Sequence, residues 1–122
     1  MSRRSSSHEE ITWEQRLFTL ILHAGNARSQ AIKAAEHAEA GDFAAAEAAL
    51  AEAKAEQEEA HKMEARIVQM EAGGEQVPFS VLLIHAMDLL MLAWAEIDHT
   101  RQLIPLYQRV AELEREVEQW RR

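Results

Sequence analysis

The chain has 122 residues, 48% of them hydrophobic, and carries a formal net charge of −8 from 13 basic and 21 acidic side chains. That length suits one domain, and the acidic balance excludes an ordinary nucleic-acid binder, which needs clustered Lys and Arg against phosphate. The lack of cysteine rules out disulfides and thiolate sites and fits a cytoplasmic setting. With only 4 Gly, 2 Pro and no β-branched runs, the composition is that of an all-α chain.

The opening Met-Ser-Arg-Arg-Ser-Ser-Ser lacks the apolar core of a signal peptide, and residues 1–8 read as a disordered tail. A first helix is expected from about Glu9 to Ala40, because Ile11, Leu17, Leu20, Ile21, Ala24, Ala27, Ala31 and Ala35 recur at helical spacing. Gly25 lies inside it and suggests a close helix contact. Gly41-Asp42 then supplies a C′ glycine and an N-cap. A second helix, rich in Ala and Glu, should follow from Phe43 to about Ala72 and end at Gly73-Gly74. Pro78 suits a first helical turn, so a third helix is expected to begin near Phe79.

Helix three has the most unusual pattern. Its run from Val81 to Ala95 is too short for a membrane span of roughly 20 residues and contains His85 and Asp88, so no membrane insertion is expected. Positions i and i+3 are neighbours on a helix, which lets this imidazole and this carboxylate share a small polar site on an apolar surface. Pro105 removes a backbone donor and crowds the carbonyl of Arg101, which predicts a kink or break. Beyond it, Leu106, Val110, Leu113, Val117 and Trp120 are spaced 4, 3, 4 and 3, a heptad seam. Upstream, Asp88, Leu92, Ala95 and His99 step by 4, 3 and 4, and joining the two through Leu103 needs a stutter. Two readings stay open on spacing alone: a stripe packed on the other helices, or three such helices meeting around a symmetry axis. Ala supplies much of the apolar content, so a lone three-helix bundle would have a thin core, and self-assembly would add buried surface.

Several pieces, taken in order, carry a resemblance: Ala24-Gly25-Asn26-Ala27-Arg28-Ser29, Gly41-Asp42-Phe43-Ala44, Glu59-Ala60-His61, and Pro78-Phe79-Ser80-Val81 through His85. Together they resemble the lactose/cellobiose-specific enzyme IIA of the sugar phosphotransferase system, over roughly Trp13 to Val110. The resemblance implies an antiparallel three-helix subunit assembling as a homotrimer with helix three near the threefold axis. It divides the chain into the tail, an enzyme-IIA-like domain over residues 9–110 and a heptad-like helical extension over residues 111–122. It further implies a cytoplasmic phosphocarrier: His85 accepts a phosphoryl group from HPr and passes it to a IIB partner in sugar uptake, with no cofactor required. Arg28 is a candidate to help receive phosphate or a partner acid, or else to form an interhelix salt bridge.

The same comparison marks departures. Where the family usually reads His-x-Gln-Asp-His-Leu-Met, this chain has Met87 and Leu89 in place of the Gln and the second His. Glu64 stands for a usual glutamine, Leu92-Ala93 for a polar pair, His99 for an apolar residue, and Pro105 where the family helix continues. Those changes support a second reading: an engineered or relay-dead homotrimeric scaffold, used for assembly with a designed partner subunit or for metal binding at the axis. In the family, the acid at the position of Asp88 lies near that axis and can bind a metal ion with its symmetry mates. His99 lies eleven residues further on, close to three helical turns. Three copies of it could form a three-nitrogen set suited to a divalent metal such as zinc. His99 reads equally well as a solvent-facing residue beside Asp98 and Arg101, and His61 as a surface ion-pair partner.

Overall fold

The computed structural model describes residues 12–122; the expected tail over residues 1–8 and the helical start at Glu9 lie outside the described residues. Three helices follow one another in an up-down-up bundle: α1 (Trp13–Glu39), α2 (Phe43–Ala72) and α3 (Val81–Arg121). The first helix starts at Trp13 because Thr12 caps it. The Thr12 hydroxyl accepts from the Gln15 amide at 3.2 Å, and the Gln15 side chain accepts from the Thr12 amide at 3.0 Å. This reciprocal box satisfies two donors that a helix start leaves free.

Both interhelix turns close by the same device. Gly41 and Gly74 take φ of +85° and +89°, a region that L side chains enter only at a cost. After α1, the amide of Gly41 donates to the Ala38 carbonyl and that of Asp42 to His37. After α2, Gly74 donates to Glu71 and Glu75 to Met70. These are paired Schellman bonds. Asp42 then caps α2 by accepting from the Ala45 amide at 3.1 Å. Gly25 does not have the role expected of it. It is exposed, and a Cβ placed there would meet nothing within 4 Å.

Helix α3 begins at Val81, two residues later than expected. Ser80, in extended conformation, caps it by accepting from the Leu83 amide at 3.1 Å, which leaves Pro78 in the incoming loop. The helix runs unbroken through Pro105 to Arg121, so the anticipated break does not occur. Pro105 is exposed, on a flank between the buried and outer faces of α3. The carbonyl it deprives of a partner can therefore turn to water.

Among the described residues, eleven of the eighteen buried hydrophobic residues are alanines, so the helices approach closely but bury little side-chain area. Leu17 and Leu20 of α1, Leu50 and Ile67 of α2, and Leu90, Ile97 and Ile104 of α3 supply the bulk. Two buried polar side chains tie α3 to the other helices. The Thr100 hydroxyl donates to the Ala31 carbonyl at 3.1 Å, and the Gln57 amide donates to the Leu90 carbonyl at 3.2 Å. Among the described residues, no helix is long and apolar enough to cross a membrane.

Candidate functional site

His85 is the fifth residue of α3, one turn beyond the Ser80 cap. Helix side chains tilt toward the N-terminus, which carries this imidazole back over the first turn. The amides of Val81 and Leu82 there have no intrahelical acceptor, while those of Leu83 and Ile84 are held by the Ser80 side chain and carbonyl. Free N–H groups and the positive end of the helix dipole favour an anion at such a place. His85 is exposed and, among the described residues, makes no hydrogen bond or ion pair. Its ring is thus available to an incoming group.

Asp88 is on the same face, also exposed and also unpaired among the described residues. Both side chains of the expected pair therefore stand open to solvent on α3. Met87 and Leu89 do not crowd the pair from outside: both are half-buried and pack against the core.

His99 is exposed on the outer line of α3 and is not part of the neighbouring ion pair, in which Arg101 Nη1 stands 3.7 Å from Asp98 Oδ1. Eleven helical residues separate it from Asp88 by about 16 Å of rise. The structure therefore does not bring the two together. No cluster of three His, Asp or Glu side chains occurs within one chain among the described residues, so either position would need further copies to surround an ion. Arg28 is exposed and joins no ion pair among the described residues, so the interhelix salt bridge is not formed.

A second feature escaped sequence reasoning. Between α2 and α3 runs an open groove of about 720 Å³, lined by Lys54, Gln57, His61, Met91, Trp94 and Arg101 among others. The ring of His61 sits 5.0 Å from that of Trp94, tilted by 53°, while its Nδ1 lies 3.0 Å from Glu64 Oε2. His23 and Glu56 also meet, at 2.6 Å, linking α1 to α2. The contact with Glu64, three residues on along α2, is the surface ion pair that spacing allows; the His61–Trp94 and His23–Glu56 pairs depend on the register between helices, about which spacing along one helix carries no information.

The lactose/cellobiose-specific IIA subunit family of the PTS system matches residues 15–108. The chain belongs to that family. It is 39% identical over 99 residues to the lichenan-specific phosphotransferase enzyme IIA component of Bacillus subtilis, covering 81% of this chain and 90% of that protein. It is 33% identical over 97 residues to the N,N'-diacetylchitobiose-specific EIIA component of Escherichia coli, covering 80% and 84%. The crystal structure of the cellobiose-specific enzyme IIA from Bacillus anthracis superposes with a TM-score of 0.80 at 39% identity, over 86% of this chain and 97% of that one. The IIA(Chitobiose) chain solved in complex with HPr from Escherichia coli gives 0.73 at 30% identity, over 84% and 99%. The IIA match spans His85, Asp88 and His99 and stops short of residues 109–122.

Proposed function

We propose that this IIA protein is a cytoplasmic phosphoryl carrier in sugar uptake, with His85 as the acceptor. The observation that carries the reading is an exposed, unpaired imidazole at the start of α3 in a chain of this family. A neutral ring nitrogen of His85 attacks phosphorus of the phosphorylated donor. The nitrogen–phosphorus bond forms as the donor's bond to phosphorus breaks, and the electron pair of that bond leaves with the donor. The Val81 and Leu82 amides and the helix dipole stabilise charge on the phosphoryl oxygens, and the rest of catalysis is alignment. HPr is the proposed donor, since a similar IIA chain was solved bound to HPr, and a IIB component is the proposed acceptor.

The carrier acts as a homotrimer with α3 innermost, which would cover the outer apolar line of that helix. In that assembly three Asp88 carboxylates would hold a hard cation, and three His99 rings would offer a separate three-nitrogen set. Neither ion is required for the relay.

The decisive test is incubation with phosphoenolpyruvate, enzyme I and HPr, read by intact mass with His85→Ala alongside. One added phosphoryl group, absent from the variant, is the expected result. No gain while HPr itself is phosphorylated would overturn the reading and leave the fold as a scaffold.

A further inference from the structure

The groove between α2 and α3 has an unsatisfied polar group in its floor. Gln57 lines the groove and is only 4% exposed. Its amide nitrogen donates to the Leu90 carbonyl at 3.2 Å. The other branch of the same amide, Oε1, is buried and accepts from no donor among the described residues. A buried acceptor left this way is costly, and it asks for a donor from outside the bundle. The walls are of two kinds. Trp94 and Met91 of α3 supply apolar surface, with the His61 ring 5.0 Å from that of Trp94 and held by Glu64. Lys54 and Glu58 of α2, with Asp98 and Arg101 of α3, supply charges of both signs in equal number.

We propose that this groove binds a neutral polyhydroxyl ring, a pyranose sugar unit. Three observations select that class. The orphaned atom is an acceptor, so the ligand must donate to it, as a hydroxyl does. The lining charges cancel, so the groove offers no net field to an ion: an anion meets Glu58 and Asp98, a cation Lys54 and Arg101. An indole beside convergent polar groups suits a ring with C–H faces and a hydroxyl rim. One hydroxyl can donate to Gln57 while another accepts from Lys54, which joins no ion pair among the described residues. The groove's volume of about 720 Å³ is that of a small-molecule site. The proposal is independent of the phosphoryl relay. His85 lies nine residues before Trp94, about half a turn away round α3, and Asp88 and His99 lie about 120° and 140° from Trp94.

The probe is cellobiose, titrated into the full chain and followed by NMR at the indole N–H resonances of Trp13, Trp94 and Trp120. Because the groove is open, half-saturation is expected at about 1–10 mM. The Trp94 signal should move along a saturable curve while those of Trp13 and Trp120 stay in place. Trp94→Leu and Gln57→Met, followed by calorimetry, should each raise the half-saturating concentration at least about tenfold, whereas Trp120→Leu should leave it unchanged. Gln57→Met keeps the side chain's length and removes the acceptor. Should that variant lose its helicity, Lys54→Ala, at an exposed position, provides the reading instead, with an expected weakening of at least about threefold. No saturation of the wild-type chain by about 50 mM would overturn the site. Equal affinity in Trp94→Leu would overturn its place in the groove. Tighter binding of inorganic phosphate or of spermidine than of cellobiose would overturn the neutral ligand class.

Discussion

The hydroxyl of Thr100 donates to the carbonyl of Ala31 across 3.1 Å of buried space and fixes the level at which α3 runs beside α1. Everything functional on α3 inherits that register: the exposed start at His85 and the exposed extension past Gln108. Thr100→Val keeps the shape and removes the bond. The Ala31 carbonyl retains its helical partner, so the expected loss is about 1 kcal/mol, measured by urea unfolding with an unchanged slope. A loss above about 3 kcal/mol would mean that the bond holds the register itself.

One substitution should have opposite signs at two glycines. Gly41→Ala forces a side chain to φ +85° and should cost about 1–2 kcal/mol. Gly25→Ala adds a methyl group to an exposed helix position with nothing within 4 Å, and should stabilise by about 0.5–1 kcal/mol. Thermal unfolding of both variants checks the pair, and destabilisation at Gly25 would reveal a contact made only in the assembly.

Asp88→Asn separates charge from chemistry at the proposed acceptor. The carboxylate shares a face with His85, is exposed in the single chain and forms no ion pair there among the described residues, so its direct effect on the ring is set at about 1 kcal/mol. Phosphoryl uptake from HPr should therefore change by less than about fivefold, whereas His85→Ala abolishes it. A hundredfold effect in single-turnover kinetics would place Asp88 in the transfer itself.

If three His99 rings converge, divalent zinc should stabilise the protein, by about 2.7 kcal/mol at a hundred times its dissociation constant. His99→Ala should cancel that gain and Asp88→Ala should leave it intact. Equal loss in both variants would place the metal elsewhere.

Replacing Leu113 and Val117 with Asp sets like charges into the heptad-like extension without touching the buried core. Helicity of the bundle should persist while the oligomer dissociates at a concentration at least about tenfold higher. Sedimentation over a dilution series decides it, and an unchanged distribution would show that the extension contributes nothing to assembly.

Local chemistry made the helices and turns readable in advance. The spacing of Leu17, Leu20, Ala24, Ala27 and Ala31, the Gly41-Asp42 turn and the Gly73-Gly74 stop each act through the chain's own dihedrals and hydrogen bonds, and the structure places them where spacing did. The start of α3 slipped because a side chain competed for the cap: Ser80 starts the helix at Val81, as Thr12 starts α1 at Trp13, because each hydroxyl satisfies an amide three residues on. At the candidate site, the shared face of His85 and Asp88 was legible because a single helix sets it, and their exposure was not.

What the sequence determined by itself is the set of three helices, their order, the IIA resemblance and the two apolar lines of α3. Only the tertiary structure decided which of those lines is buried. Ala86, Leu90, Ala93, Ile97 and Ile104 face the bundle, and the line from Asp88 to Trp120 is left outside. Periodicity along one helix fixes which residues share a face. Which face meets a neighbour depends on interhelix register, set here by Thr100 with Ala31 and Gln57 with Leu90.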